Sequence, residues 1–219
     1  MGAEIHMVST AIVFNGSKGR SAILLSAKAG AQCLKDTEMP LHRINKLINT
    51  GLYRDKNIGE PAIATLIHTQ IDKLLPDHLK INNPGFTGLF AFDMPNGGVG
   101  FLNGIQIANA FLENNESEYA MIVSGDAPPT RNDQWTFPYT SAASAIILKK
   151  SDKQSGFKHF LSRSYPEGHD LYSGMLKWKK PFSRRSYRNR IEISMSPDYS
   201  TEILKACNET LGIFSRKQA

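Results

Sequence analysis

The stretch with the most capacity for chemistry runs from Phe92 to Leu112: Phe-Asp-Met-Pro-Asn-Gly-Gly-Val-Gly-Phe-Leu-Asn-Gly-Ile-Gln-Ile-Ala-Asn-Ala-Phe-Leu. It reads as a strand end, a glycine-rich turn and a helix. A helix that begins just after the glycines turns its free N–H groups and positive dipole end toward the turn at Asn96 to Gly100, a geometry that activates a nucleophile or holds an anion. No Ser, Cys or Thr lies between Asp93 and Gly104, so the nucleophile-elbow pattern G-x-S-x-G is absent. The dinucleotide fingerprint G-x-G-x-x-G fails as well, because Asn103 follows Gly98 and Gly100 where the third glycine belongs and Gly104 comes one residue late. Close helix–strand packing, which needs small residues, is the plain alternative.

Other residues with chemical potential are scattered. Ser141 and Ser144 are hydroxyl candidates, but a serine nucleophile needs an adjacent base and no histidine is near them in sequence. Cys33 falls on the apolar face of a helical pattern and reads as a small core residue. Cys33 and Cys207 are too few and too far apart to frame a disulfide network or a metal site. His68 lies inside a helical segment and reads as a polar-face or hydrogen-bonded core histidine.

The elements that must position these groups follow from periodicity and turn signals. Val8 to Asn15 reads as a first strand, closed by a turn at Asn15 to Gly19. Ser21 caps a helix that carries Ala22, Leu25, Ala29 and Cys33 at helical spacing. Glu60-Pro61 opens a second helix running to about Leu75, since Pro is favoured in a first turn. Gly88 to Met94 reads as a central strand feeding the glycine turn. Phe101, Ile105, Ala108 and Leu112 give the following helix one apolar face. Tyr119 to Gly125 is an apolar run suited to a strand covered on both sides. Pro197 to Leu211 reads as a last helix, with Ile203, Cys207 and Leu211 on one stripe.

On these residues the sequence resembles the ketosynthase III (3-oxoacyl-ACP synthase III) branch of the thiolase superfamily. Phe92-Asp93, Gly100 and Phe101 match an active-site turn whose pattern runs Phe-Asp-x-x-x-x-Cys-x-Gly-Phe, and Gly98 stands where that family carries its acyl-accepting cysteine. Leu47 to Gly51 with Pro61 to Ala64 resembles the family's second strand and following helix, which places a strand at Lys46 to Asn49. Tyr139 to Leu148 resembles its small-residue strand. The resemblance implies an α/β, thiolase-like layered fold: a first half over 1–150, a basic connecting segment over 151–194, and the start of a shortened second half over 195–219. It implies no catalytic residue in this chain and no cofactor, because the nucleophile is replaced by Gly98 and no counterpart of the family's catalytic histidine and asparagine follows. His159 and His169 both precede the last helix. No counterpart of the family's Arg-Thr-Gly loop is found either.

Composition bounds the rest. With 219 residues, 41% of them hydrophobic, the chain can bury a sizeable core. No apolar run approaches the roughly 18 residues of a membrane span, and Met1 to Val8 lacks the pattern of a secretory leader, so the expectation is a cytoplasmic protein without membrane contact. The net charge of +6 comes largely from Lys177 to Arg190, which has many cations, interleaved aromatics and no acids. That segment suits a solvated excursion, the acidic surface or phosphate arm of an acyl carrier protein, or, least well, nucleic acid. The function expected is a non-catalytic ketosynthase-like subunit that pairs with an active ketosynthase homologue or a complementary C-terminal half, with acyl carrier protein as a further partner. The alternative is an anionic-ligand or nucleic-acid binding protein on the same fold.

Overall fold

The computed structural model describes residues 4–14, 21–81, 88–129, 137, 139–151, 156–178 and 189–218. The turn expected at Asn15 to Gly19 and most of the basic Lys177 to Arg190 segment lie outside them. The chain divides into two compact units, residues 1–134 with 138–158 and residues 135–137 with 159–219.

The first unit is a five-stranded mixed sheet with helices on both faces. In chain order it contains β1 (Glu4–Phe14), α1 (Ala22–Asp36), β2 (Ile44–Asn49), α2 (Ile63–Leu74), β3 (Phe90–Asp93), α3 (Gly100–Glu113), β4 (Tyr119–Asp126) and β5 (Ala142–Ser151). The strand order is β1-β5-β4-β2-β3. β3, β2 and β4 run parallel, and β5 runs antiparallel to both β4 and β1. Alternation along β4 separates the faces. A Cβ built on Gly30 of α1 would touch Ile71 of α2 and Met121, whereas one built on Gly104 of α3 would touch Ile122. Adjacent strand residues point to opposite sides, so α1 and α2 cover one face and α3 the other.

The α1–α2 side holds the larger core, where Leu25, Ala29, Cys33, Ile67 and Ile71 pack on Leu47, Met121, Val123, Ala145 and Ile147. Ser21 caps α1 as expected, its hydroxyl accepting from Leu24 N–H at 3.0 Å. The Lys46 to Asn49 strand and the buried strand after Tyr119 are also found.

Several expected bounds shift for physical reasons. β1 starts at Glu4 rather than Val8 because it pairs β5 from Glu4↔Ser151 to Phe14↔Ala142, with an irregularity at Val8. α2 starts at Ile63, two residues after Pro61, because its cap is a carboxylate from another strand. β3 is shorter than Gly88 to Met94 and lies at the sheet edge, bonded to β2 alone among the described strands.

The second unit contains β6 (Tyr172–Trp178), β7 (Asn189–Met195) and α4 (Tyr199–Gln218). β6 and β7 form an antiparallel ribbon inside the expected connecting segment. Tyr165 OH reaches Ala206 O at 3.0 Å and Thr210 Oγ1 at 2.8 Å. Ala206 and Thr210 are partly buried there, while the expected stripe of Ile203, Cys207 and Leu211 is exposed.

Gly51, at the end of β2, has no room for a side chain: a Cβ there would collide with the carbonyl oxygen of Gly125 and lie 3.0 Å from its amide nitrogen. Both are backbone atoms of a central strand and cannot move aside cheaply. Gly51→Ala is expected to cost about 1–3 kcal/mol of stability, read as a lower urea midpoint with an unchanged slope.

Candidate functional site

The parallel strands β2, β3 and β4 end together, and the glycine turn sits at that end. This is the side of an open α/β sheet where ligands bind. Main-chain bonds fix the strand ends, with Met94 N–H donating to Asn49 O and Thr50 N–H to Val123 O, both at 2.8 Å. After Met94 the chain makes a single 3₁₀ turn, Gly97–Val99, and enters α3. Gly97 takes the left-handed conformation, φ +49°, which favours glycine.

Gly98 lies within this turn, between β3 and the head of α3. A Cβ at 98 would meet nothing within 4 Å. The neighbouring glycines differ, because a Cβ on Gly100 would stand 3.5 Å from Thr50 Cβ and one on Gly104 3.2 Å from Thr50 Cγ2 and 3.1 Å from Ile122 Cγ2. Glycine at 104 therefore seats α3 against β2 and β4. Asn103, the residue that spoils the dinucleotide fingerprint, accepts from Asn96 Nδ2 at 2.8 Å and ties the turn to the first turn of the helix.

Carboxylates and amides hold the surrounding loops; of the carboxylates, the sequence reading named only Asp93, as part of the Phe-Asp motif. Asp93, the last residue of β3, accepts Ile63 N–H on Oδ2 and Ala64 N–H on Oδ1, both at 2.8 Å, and so caps α2. Its Oδ1 also accepts Asn49 Nδ2 at 3.0 Å, and Oδ2 lies 3.3 Å from Arg54 Nη2. The Asp93 side chain is only 7% exposed and that of Arg54 28%, so the carboxylate is buried and its guanidinium partner partly so. Asp126, at the end of β4, accepts Leu52 N–H at 2.9 Å and Tyr53 N–H at 2.8 Å. Burial holds its carboxyl above the usual carboxylate range, partly opposed by those two amides. Asp55 accepts Ala22 N–H at 2.7 Å and the Ser21 hydroxyl, closing the head of α1. The signal in the sequence was a polar residue directly after an apolar strand run: Asn49 after Leu-Ile, Asp93 after Phe-Ala-Phe, Asp126 after Met-Ile-Val-Ser-Gly.

The remaining candidates stand elsewhere. Cys33 is fully buried, its Sγ 3.6 Å from Ala145 O, and burial raises its thiol to about 11, which makes it inert. Ser144 sits in the ladder opposite Ser124 and Ile12. His68 is partly buried; its Nε2 is enclosed without a hydrogen-bond partner among the described residues, and burial lowers its pKa, so the imidazole is neutral. Among the described residues, no group of three or more His, Cys, Asp or Glu could hold a metal ion, and no helix is long and apolar enough to cross a membrane.

No protein-family model matches the chain. A crystal structure of OleA from Xanthomonas campestris superposes with a TM-score of 0.69 over 97% of this chain and 72% of that one, at 16% identity. The fold is thiolase-like. A cysteine-to-serine OleA variant with bound lauric acid and lauroyl-CoA gives a TM-score of 0.63 at 17% identity, covering 80% of this chain and 66% of that one. The 3-oxoacyl-(acyl carrier protein) synthase III of Xanthomonas oryzae pv. oryzae gives 0.60 at 18% identity, covering 78% and 64%. In sequence, 101 residues are 30% identical to the acyl-CoA:acyl-CoA alkyltransferase of Xanthomonas campestris pv. campestris; they are 46% of this chain and span 26% of that enzyme. The thiolase-like expectation, with its likeness to ketosynthase III, therefore holds.

Asp93→Ala removes the cap of α2 and leaves Arg54 without its buried partner. It is expected to cost about 2–4 kcal/mol, measured by thermal or urea unfolding. Asp126 binds its proton more tightly in the folded than in the unfolded chain, so its contribution to stability falls as pH rises from the ordinary carboxylate range through the folded pKa. Asp126→Asn keeps an oxygen for both amides without ionising. It is expected to be at least as stable as the parent at neutral pH and to lose that part of the pH dependence, in unfolding measured across acid to neutral pH.

Proposed function

We propose that this chain is a non-catalytic subunit of acyl condensation in fatty-acid or polyketide-type synthesis, pairing with an active ketosynthase or a complementary half. The observation that carries this reading is Gly98. It lies in the turn between β3 and α3, where ketosynthase III enzymes, which the sequence resembles, hold the cysteine that accepts the acyl group. Glycine has no atom to acylate. Without the covalent nucleophile the condensation loses its first step.

The shape around that position supports a retained structural role. The head of α3, the glycine turn and the buried Asp93 cluster are all in place, so the chain presents the form of the site without its sulfur. The exposed edge of β3, with Phe90 half in solvent, suits pairing with a ketosynthase homologue. The bound lauroyl-CoA in the OleA variant indicates an acyl-CoA thioester as the class of molecule around which a partner's site would be built, and the 3-oxoacyl-(acyl carrier protein) synthase III neighbour suggests acyl carrier protein as the other donor.

Two measurements test the reading. The parent incubated with lauroyl-CoA is expected to show no acyl adduct by mass spectrometry. Gly98→Cys, placed in open space at a helix N-terminus that lowers a thiol's pKa, is expected to fold normally and take up one acyl group. Tagged chain purified from its own host is expected to bring down a ketosynthase-like polypeptide that carries the cysteine. Condensation turnover by the parent alone, or a host purification without any such polypeptide, sinks the proposal.

A further inference from the structure

Two Asn-Gly pairs stand at the head of α3, Asn96-Gly97 just before the helix and Asn103-Gly104 inside it. Another, Asn15-Gly16, lies outside the described residues. The pair is chemically weak because glycine has no side chain to shield its nitrogen. That nitrogen can attack the amide carbon of the preceding asparagine and close a five-membered ring. A fold permits this only where water and base reach the pair and the backbone can turn the nitrogen onto the side chain.

The two pairs differ on both counts. Asn96 and Gly97 are exposed. With φ −147° and ψ 55°, Asn96 must rotate about ψ before Gly97 N meets its Cγ. The rotation gives up the bond from Val99 N–H to Asn96 O at 3.2 Å and the one from Asn96 Nδ2 to Asn103 Oδ1 at 2.8 Å. Packing does not oppose it, since a Cβ built on Gly97 or Gly98 would meet nothing within 4 Å. In Asn103-Gly104 the same rotation breaks the hydrogen bonds of α3 itself. Gly104 is also buried, its Cβ position 3.1 Å from Ile122 Cγ2 and 3.2 Å from Thr50 Cγ2, so that backbone is locked. The helix head adds a bias of its own. α3 has neither a side-chain cap nor an acidic residue in its first turn, and its uncompensated positive end favours both the nitrogen anion that attacks and the carboxylate that results.

We propose that Asn96 is a site of spontaneous deamidation, while Asn103 stays intact in the folded chain. Base removes the Gly97 amide proton, and the nitrogen bonds to Asn96 Cγ. The Cγ–Nδ2 bond breaks, and Nδ2 leaves as ammonia with a proton returned by water, which yields a succinimide. Water then opens the ring. Attack at Cγ restores the main chain and leaves an aspartate; attack at the main-chain carbonyl routes the chain through Cγ and leaves an isoaspartate, one backbone atom longer. Either product places a negative charge at the head of α3 and lowers the net charge of +6 by one. The turn demands the sensitive pair, because the left-handed Gly97, φ +49°, strains any residue with a Cβ. The inference does not depend on any partner, and the pure chain tests it.

The full chain is held for days in mildly alkaline buffer, digested and mapped by mass spectrometry, with isoaspartate read by enzymatic methylation. Asn96 is expected to convert at least about tenfold faster than Asn103, since opening α3 there breaks more than one hydrogen bond, and to give a mixture of aspartate and isoaspartate. In urea, with the helix unfolded, the two pairs are expected to convert at similar rates. Asn103→Ala removes the side-chain tether and is expected to speed conversion at Asn96 a few-fold; circular dichroism checks that the variant keeps its fold. An Asn96 as durable as Asn103 in the folded chain overturns the inference. Aspartate without isoaspartate overturns it too, because that is direct hydrolysis and not ring closure, and so does the same rate ratio in urea as in buffer, which assigns the difference to local sequence and not to the turn.

Discussion

One buried carboxylate ties together the end of the sheet at which the glycine turn is displayed. Asp93 ends β3, yet its oxygens bind the first two N–H groups of α2, the side-chain amide of Asn49 at the end of β2 and the guanidinium of Arg54 in the loop between them. Each of these groups would be costly to bury alone. Together they satisfy one another, and the arrangement fixes where β3 stops. The chain leaves the sheet at Met94, and the turn with Gly98 follows from that point.

Asp55 and Asp126 apply the same device to the neighbouring connections. Asp55 closes α1, and Asp126 holds the amides of Leu52 and Tyr53. Free N–H groups at helix heads and in loops converge at this end of a parallel sheet, so a carboxylate at a strand terminus finds donors at hand. The glycines do a different job. Gly51 and Gly104 let backbone and helix approach within van der Waals contact, and only then are the strand ends close enough for the carboxylates to reach.

How legible this was in the sequence depends on the range of the interaction. The apolar face of α3 emerged from the spacing of Ile105, Ala108 and Leu112, and β4 from an unbroken apolar run, because both patterns are local. The Ser21 cap lies three residues from the amide it binds and was readable for the same reason. The start of α2 was not, since its cap comes from Asp93, about thirty residues further on. The edge position of β3 was hidden too, because strand order is decided by pairing between distant segments. α4 shows the limit of periodicity from the other side. Its stripe was expected to be buried, yet Ile203, Cys207 and Leu211 stand exposed, and Tyr165 bonds only Ala206 and Thr210 beside them.

The fold and the chemistry expected at its turn draw on different atoms, and that separation governs how Gly98 is read. A side chain at 98 would touch nothing within 4 Å, so exchanging residues there changes stability by no more than about 0.5 kcal/mol, as at an ordinary surface position. Asp93, by contrast, satisfies four groups across three elements. A chain under selection for folding alone would keep the aspartate and tolerate exchange at 98. The shape of the turn is therefore evidence about architecture and says nothing about turnover, in keeping with the general independence of a fold from the site grafted on it. Within the turn, packing leaves the Cβ positions of both Gly97 and Gly98 open, and only the left-handed backbone of Gly97 restricts what can stand there.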